Sequence, residues 1–270
     1  MTRSCWVLLF CLAPWCQGQT KTPKVTNVAP APSDRFPASW YPADDNVTYT
    51  MAAQKDAPYT ATLVTTAHYV DPATGEVKDS SQSTLQARDS AGRKRDEVEM
   101  PRPDGQEGNV MAHEVSISDP VSHCRFRWME PWVAADKPTA TVACMPRTLH
   151  YINQNLYSDA MVSAPREVNS PGSSELSQPL GTRKFGDVEA VGVRRTTTTT
   201  NSQTGEVVKS VTEIWYSSEL KELLEMKEIP DPKAKEASGQ LPDVDLTEIQ
   251  RKEPDAALFY PPAGYDIKPE

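Results

Sequence analysis

The chain has 270 residues, with 37 acidic against 28 basic side chains and a formal net charge of −9. An acidic surface repels phosphate backbones and anionic lipid headgroups, which argues against nucleic acid as a partner. With 38% hydrophobic residues, the length is enough for one large β domain or two small ones with a real core.

Arg3 followed by the uncharged, mostly apolar run Ser4–Cys16 reads as an export signal. It has the positive start, the apolar stretch of about 7–15 residues and the small residues before a cut. The run ends at Gln17, short of the roughly 20 apolar residues a membrane helix needs. Residues 1–18 are therefore expected to be a cleaved signal peptide, leaving a periplasmic or secreted chain with no integral membrane segment. A retained anchor or a lipid-modified Cys16 is the alternative, and Trp15 just before that cysteine speaks against lipidation. Residues 19–57, with prolines at 23, 30, 32, 37 and 42, read as a proline-rich arm. Phe36, Trp40 and Tyr41 interrupt it and are expected to pin it to the domain.

Residues 58–268 are predicted to form a single, mainly β domain: a curved antiparallel sheet, half-barrel-like, with one or two short helices and long loops. Tyr59–Val70 alternates, with Tyr59, Ala61, Leu63, Ala67 and Tyr69 on one side and threonines and His68 on the other, as a half-buried strand does. Asp71-Pro-Ala-Thr-Gly75 is turn chemistry. A polar strand over Glu76–Arg88, a turn at Asp89-Ser-Ala-Gly92 and a strand over Arg93–Met100 complete a meander. A further strand is expected at Val115–Ser118 and another at Thr148–Asn153. Gln154–Pro179, rich in serine with three prolines, reads as a mobile loop. Asp187–Thr200 and Glu206–Tyr216 flank the turn Asn201–Gly205, and the five threonines at 196–200 favour sheet.

Once the leader is gone only Cys124 and Cys144 remain, and an even pair in an oxidising compartment reads as a disulfide. With a turn at Ala134–Lys137, Cys124 faces Cys144, Phe126 faces Val142 and Trp128 faces Ala140. All of these lie on one side, because strand side chains alternate. A zinc site from His123, Cys124, Cys144 and His150 is the competing reading, and export argues against it. Closing this loop is worth about 3 kcal/mol.

Val64–Lys78 and Thr196–Lys209 echo each other as threonine-rich strand, turn, Thr-Gly-Glu-Val and strand. A duplicated half-sheet and two independent Thr-Gly turns would both produce this echo. Residues 218–229 have the highest helix propensity in the chain, and either a two-turn helix or a turn into a strand satisfies them. Asp231–Pro242 reads as charged loop, and Glu253-Pro254-Asp255 begins a short helical turn through Phe259.

Several strings then stand together: Arg88-Asp-Ser-Ala-Gly-Arg93, Ile117-Ser-Asp-Pro120, Gly186-Asp-Val-Glu-Ala-Val-Gly192, Glu213-Ile-Trp-Tyr-Ser217, Glu219-Leu-Lys221, and Glu253-Pro-Asp255 with Leu258-Phe259, Pro262 and Tyr265. Over roughly residues 57–268 this pattern resembles a family of uncharacterised exported bacterial proteins. The resemblance implies no activity. In style the alternating strands are similar to lipoprotein-carrier and envelope-stress regulator domains, in which a curved sheet wraps a hydrophobic ligand. The cysteine pair is not part of the family pattern.

No Gly-x-Ser-x-Gly elbow, His-Glu-x-x-His helix, phosphate loop or dinucleotide fingerprint is present in the sequence. The carboxylate pairs Glu97/Glu99, Asp243/Asp245 and Glu253/Asp255 read as solvated faces, since a hydrolase needs two held apart across a cleft. No enzyme activity, cofactor or metal is expected. Phe126, Trp128, Trp215 and Tyr216 are the candidate binding residues, able to line an apolar pocket or to be the core of a domain short of aliphatics. The expected function is a non-enzymatic binding or carrier-like module for a hydrophobic ligand or envelope component. An envelope structural or protein-interaction role is the alternative, and a hydrolase the third.

Overall fold

In the computed structural model the described residues are 36–41, 50–101, 111–130, 137–146, 150–152, 165–200, 202–229 and 241–270. The strands in chain order are β1 (Thr50–Ala52), β2 (Tyr59–Val70), β3 (Val77–Arg88), β4 (Lys94–Pro101), β5 (Met111–Asp119), β6 (Cys124–Glu130), β7 (Thr139–Cys144) and β8 (His150–Ile152). There follow β9 (Arg166–Ser170), β10 (Ser173–Phe185), β11 (Val188–Thr200), β12 (Val207–Ser217), β13 (Glu222–Glu228), β14 (Asp243–Gln250) and β15 (Asp266–Pro269).

One open, curled sheet of 13 strands runs β15-β7-β6-β5-β4-β3-β2-β14-β13-β12-β11-β10-β9, and β1 pairs β8 apart from it. All neighbours in the large sheet are antiparallel except β15, which lies parallel to β7. The sheet is thus two meanders, β2–β7 and β9–β14, laid side by side, with the last strand of the second against the first strand of the first. Their long hairpins match in register as well as in turn. Val70 pairs Val77 as Thr200 pairs Val207, and Thr62 pairs Leu85 as Gly192 pairs Trp215. In both turns a threonine hydroxyl accepts the N–H of the glutamate two residues on, Thr74 from Glu76 and Thr204 from Glu206. Gly75 and Gly205 both take positive φ, which a side chain would resist.

The apolar surface changes face at β2–β3. Tyr59 and Ala61 belong to one buried cluster, whereas Ala87, opposite Thr60, belongs to another, and alternate residues on a strand point to opposite faces. The first cluster gathers Ala87, Val115, Ile117, Phe126, Trp128, Ala140 and Val142, and is capped by Phe36 from the N-terminal arm and Phe259 from the C-terminal segment. Trp40 and Tyr41 pack on it from the arm, so the three aromatics do pin that segment. The second cluster gathers Tyr59, Ala61, Val188, Ala190, Trp215, Leu224 and Leu246 across β13–β14. That seam is narrow, with only Glu225↔Asp245 and Met226↔Val244 paired. A third, smaller cluster of Val193, Ile214 and Tyr216 completes the packing.

Cys124 and Cys144 face each other in the β6–β7 register, with the sulfurs 2.03 Å apart. Phe126 pairs Val142, and Arg125 and Arg127 pair Ala143 and Thr141 on the opposite side, the arrangement the spacing predicts. The turn residues 134–136, the leader, the arm before Phe36 and the charged stretch 231–240 lie outside the described residues.

One expectation needs correction. The loop expected over 154–179 contains β9 and the first half of β10, whose serines pair with the threonine run of β11; small polar side chains suit an exposed strand as well as a loop. No α-helix occurs among the described residues, only 3-10 turns at Ala38–Trp40 and Ala256–Phe259. The helix-prone stretch 218–229 is a turn followed by β13, because pairing with β12 and burial of Leu224 outweigh propensity. The strand β14, not foreseen, holds the two meanders together through β2. No helix among the described residues is long and apolar enough to cross a membrane.

Candidate functional site

Two of the strings singled out in the sequence, Arg88–Arg93 and Glu253–Tyr265, meet as a structural clamp. Gly92, at positive φ, closes the β3–β4 turn with its N–H on the Asp89 carbonyl. The Asp89 carboxylate then takes Arg93 Nε at 2.5 Å, and the Arg93 guanidinium lies over the rings of Phe259 and Tyr260 at 5.1 and 5.4 Å. Ser90 donates to Glu253, and Asp255 caps the 3-10 turn through Ala257 N–H. These contacts draw the C-terminal segment across the first cluster. Tyr265 donates to the Met129 carbonyl at 2.9 Å, and β15 adds to β7.

Beneath the clamp a buried polar network joins the two meanders. Arg88, 1% exposed, donates to the Ala57 and Leu220 carbonyls and to Glu222 Oε2 at 3.1 Å. Its guanidinium sits 4.7 Å from the Tyr59 ring centroid, and the Tyr59 hydroxyl reaches Gln86 and Glu222. Burial, then the neighbouring Glu222 carboxylate, holds the Tyr59 phenol well above its ordinary range. Every member is partnered, and the network pins the two meanders together.

Two concave features among the described residues are open grooves. The first, of about 710 Å³, crosses β14, β2, β3 and β4 under the C-terminal segment and is lined by Thr60, Thr62, Leu85, Glu97, Glu248 and Leu258 among others. Leu85 is 51% exposed there, a large apolar side chain left uncovered after the polar run Lys78–Thr84. Leu258 overhangs it, also exposed. The second groove, of about 730 Å³, continues from Leu85 and Glu97 to Ser81, Ser83, Glu99, Met111 and His113. Its origin is a parting of strands: β4 pairs β3 only over Thr84–Arg88, then follows β5 up to Pro101. The backbone of β3 from Val77 to Ser83 consequently has no ladder partner on its β4 side among the described residues.

Charge along these grooves is mixed but leans acidic. Arg95 donates to the Leu258 carbonyl at 3.1 Å and to Glu97 at 2.7 Å, and stands 5.5 Å from the Trp128 ring. His113 Nδ1 is 3.1 Å from the other Glu97 oxygen. Glu248, on a bulge of β14 with positive φ, accepts from Thr62 at 2.8 Å.

The second meander has a closed counterpart. The Trp215 ring lies flat over Gly192, where an added Cβ would come within 2.7 Å of it. The Arg183 guanidinium sits 4.2 and 4.3 Å from the Phe185 and Trp215 centroids and donates to Glu225 at 2.6 Å. Lys227 bridges Glu225 and Asp245 at 3.1 and 3.2 Å. Burial pushes the Glu225 carboxyl up, but hydrogen bonds from Arg183 and Lys227 outweigh it and hold it below the usual range. Asp245 goes the other way, raised by burial and by the facing Glu225 despite Lys227.

Of the four candidate binding residues, Phe126 and Trp128 come together in the first cluster, Trp215 stands in the second and Tyr216 in the third. All four are buried. Trp128 donates to Glu130 at 2.6 Å, and the Trp215 indole N–H is buried without an acceptor among the described residues. They fill cores. The groove residues Leu85, Glu97, Glu248 and Leu258 were not singled out as a set by sequence reasoning. The available signal was a lone leucine in the run Val77–Arg88, opposite threonines. Among the described residues no three His, Cys, Asp or Glu side chains are placed to hold a metal, and the Cys124–Cys144 pairing removes both sulfurs of the competing zinc reading. Comparison with family models finds no match for the chain, and comparison with curated proteins finds none either.

Proposed function

We propose that the protein is an exported, non-enzymatic binding module that holds an extended polypeptide segment of an envelope partner along the Leu85 groove. One observation carries the reading: an uncovered leucine sits where β3 and β4 part, beside a stretch of β3 that has no ladder partner on that side among the described residues. An extended chain added to such an edge gains main-chain hydrogen bonds, and a neighbouring apolar seat gives side-chain selection. The carrier-like alternative calls for an enclosed apolar chamber. The aromatic residues that would line one are instead packed against Gly192, Ala87 and their strand neighbours. Export is supported by the Arg3–Cys16 leader pattern and by a cysteine pair at bonding distance, since disulfides persist outside the reducing cytoplasm.

Solvent extraction of protein purified from a membrane-containing host, followed by mass spectrometry, tests the choice. The expected result is no lipid in molar amount. A lipid recovered mole for mole with the protein would overturn the polypeptide reading in favour of the carrier.

A further inference from the structure

The two meanders carry two versions of one arrangement, closed in one and open in the other. In the second, Gly192 pairs Trp215 and Trp215 pairs Glu225. In the first, the equivalent positions are Thr62, Leu85 and Glu97, joined by the same pairings. The flanking strand differs. β10 places Arg183 opposite Ala190, and from there the guanidinium reaches the 215 ring and the 225 carboxylate. On the first meander that flank is β14, and the residue opposite Thr60, the counterpart of Ala190, is Gln250. It is shorter and neutral, and it lines the open groove. A second difference follows two residues along: Lys227 neutralises Glu225 in the closed version, whereas the first meander has Glu99 at that position. The open version therefore presents Glu97, Glu99 and Glu248 against Arg95 and His113, with Leu85 and Leu258 uncovered.

We propose that the Leu85 groove takes from a partner polypeptide what Arg183 supplies internally in the second meander: an arginine or lysine, two residues from an apolar one and so on the same face, on an extended segment. Its aliphatic stem covers Leu85 and Leu258, and its charge lies toward Glu97 and Glu248. This deepens, and rests on, the reading of the groove as a polypeptide site. Charge complementarity fixes the class of segment: an acidic or purely apolar one leaves the carboxylates facing repulsion or desolvation.

Fluorescence anisotropy on the full chain at physiological salt tests it, using labelled hexapeptides with serine at every second position and, between the serines on one face, Arg and Leu, Glu and Leu, or Arg and Gly (the Arg-Leu, Glu-Leu and Arg-Gly peptides). The Arg-Leu peptide is expected to bind about tenfold or more tighter than either other peptide, because it alone satisfies both seats. Gln250→Arg, which installs the internal cation, and Leu85→Asn, at an exposed position, are each expected to weaken it about tenfold. Unchanged thermal unfolding of the two variants confirms that the loss is local. Equal binding of Arg-Leu and Glu-Leu peptides, both lost in Leu85→Asn, would overturn the cation assignment while leaving the polypeptide site standing. Arg-Leu binding indifferent to both variants would place the site elsewhere and overturn the inference. So would self-association of the free protein that Gln250→Arg abolishes, which would make a second copy the occupant. Failure of all three peptides to bind would remove both readings.

Discussion

At the level of single residues the structure turns on a few close approaches. Gly192 is the sharpest, because the Trp215 ring occupies the space its side chain would need. Gly192→Ala is expected to cost about 1–3 kcal/mol through overpacking, measured as a lower urea midpoint at constant m-value. An unchanged midpoint would mean that the ring does not lie on the backbone there. Arg88 is the second. Its removal in Arg88→Ala strands the Ala57 and Leu220 carbonyls and leaves Glu222 without its cation, and Glu222 is partly exposed and keeps the Tyr59 hydroxyl, so about 3 kcal/mol is expected. His68 gives a pH signature. Its hydrogen bond to Asp79 raises its pKa, burial opposes this, and Asp243 adds to the rise. A folded pKa above the unfolded value of about 6.5 stabilises fully below that value, and the gain is lost as pH rises through the folded pKa. The stability gap between the protein and His68→Gln should therefore shrink from pH 5.5 to pH 8.5, and a gap that widens would contradict the assignment.

Elements show how far sequence reasoning reaches. The β6–β7 ribbon was legible residue by residue, because Cys124, Phe126 and Trp128 on one strand and Cys144, Val142 and Ala140 on the other alternate at period two. The strands β2, β3, β4, β11 and β12 were also legible, each bounded by turn residues. β13 was ambiguous because Glu, Leu, Lys and Met serve helices well, and only the neighbouring β12 edge resolves the choice. β14 was obscured by its charges and its bulge: Asp243 and Asp245 alternate with Val244 and Leu246, but Glu248 falls on the parity of Val244 and Leu246 and the bulge after Thr247 breaks the period. Two tests belong here. The double variant Cys124→Ala, Cys144→Ala should lose about 2–4 kcal/mol relative to the bridged protein, and calorimetry with and without reductant reads this. Phe259→Ala, which uncaps the first cluster, should cost about 3–5 kcal/mol; a loss below 1 kcal/mol would show that the C-terminal segment lies loosely on the sheet.

For the whole molecule, the echo between the two threonine-glycine turns proves to mark two meanders in common register, a relation the short sequence match left open. Their difference matters more than their likeness. One meander closes its central position with Trp215 and Arg183, and the other leaves Leu85 open at a parting of strands. Neither property was readable from the chain, since exposure depends on which strand flanks each hairpin, and the β14–β2 seam joins residues far apart in sequence. The aromatics drew attention for their size, yet size is what cores recruit, and the proposed binding surface is instead made of residues ordinary in the sequence. Hydrogen–deuterium exchange of the full chain, with and without the Arg-Leu peptide, tests this division most directly. Protection is predicted at the strand edges around residues 80–88, 95–99 and 247–250, with none added at 190–193 or 214–216. Protection concentrated at the Trp215 and Trp128 strands, or absent throughout, would contradict it.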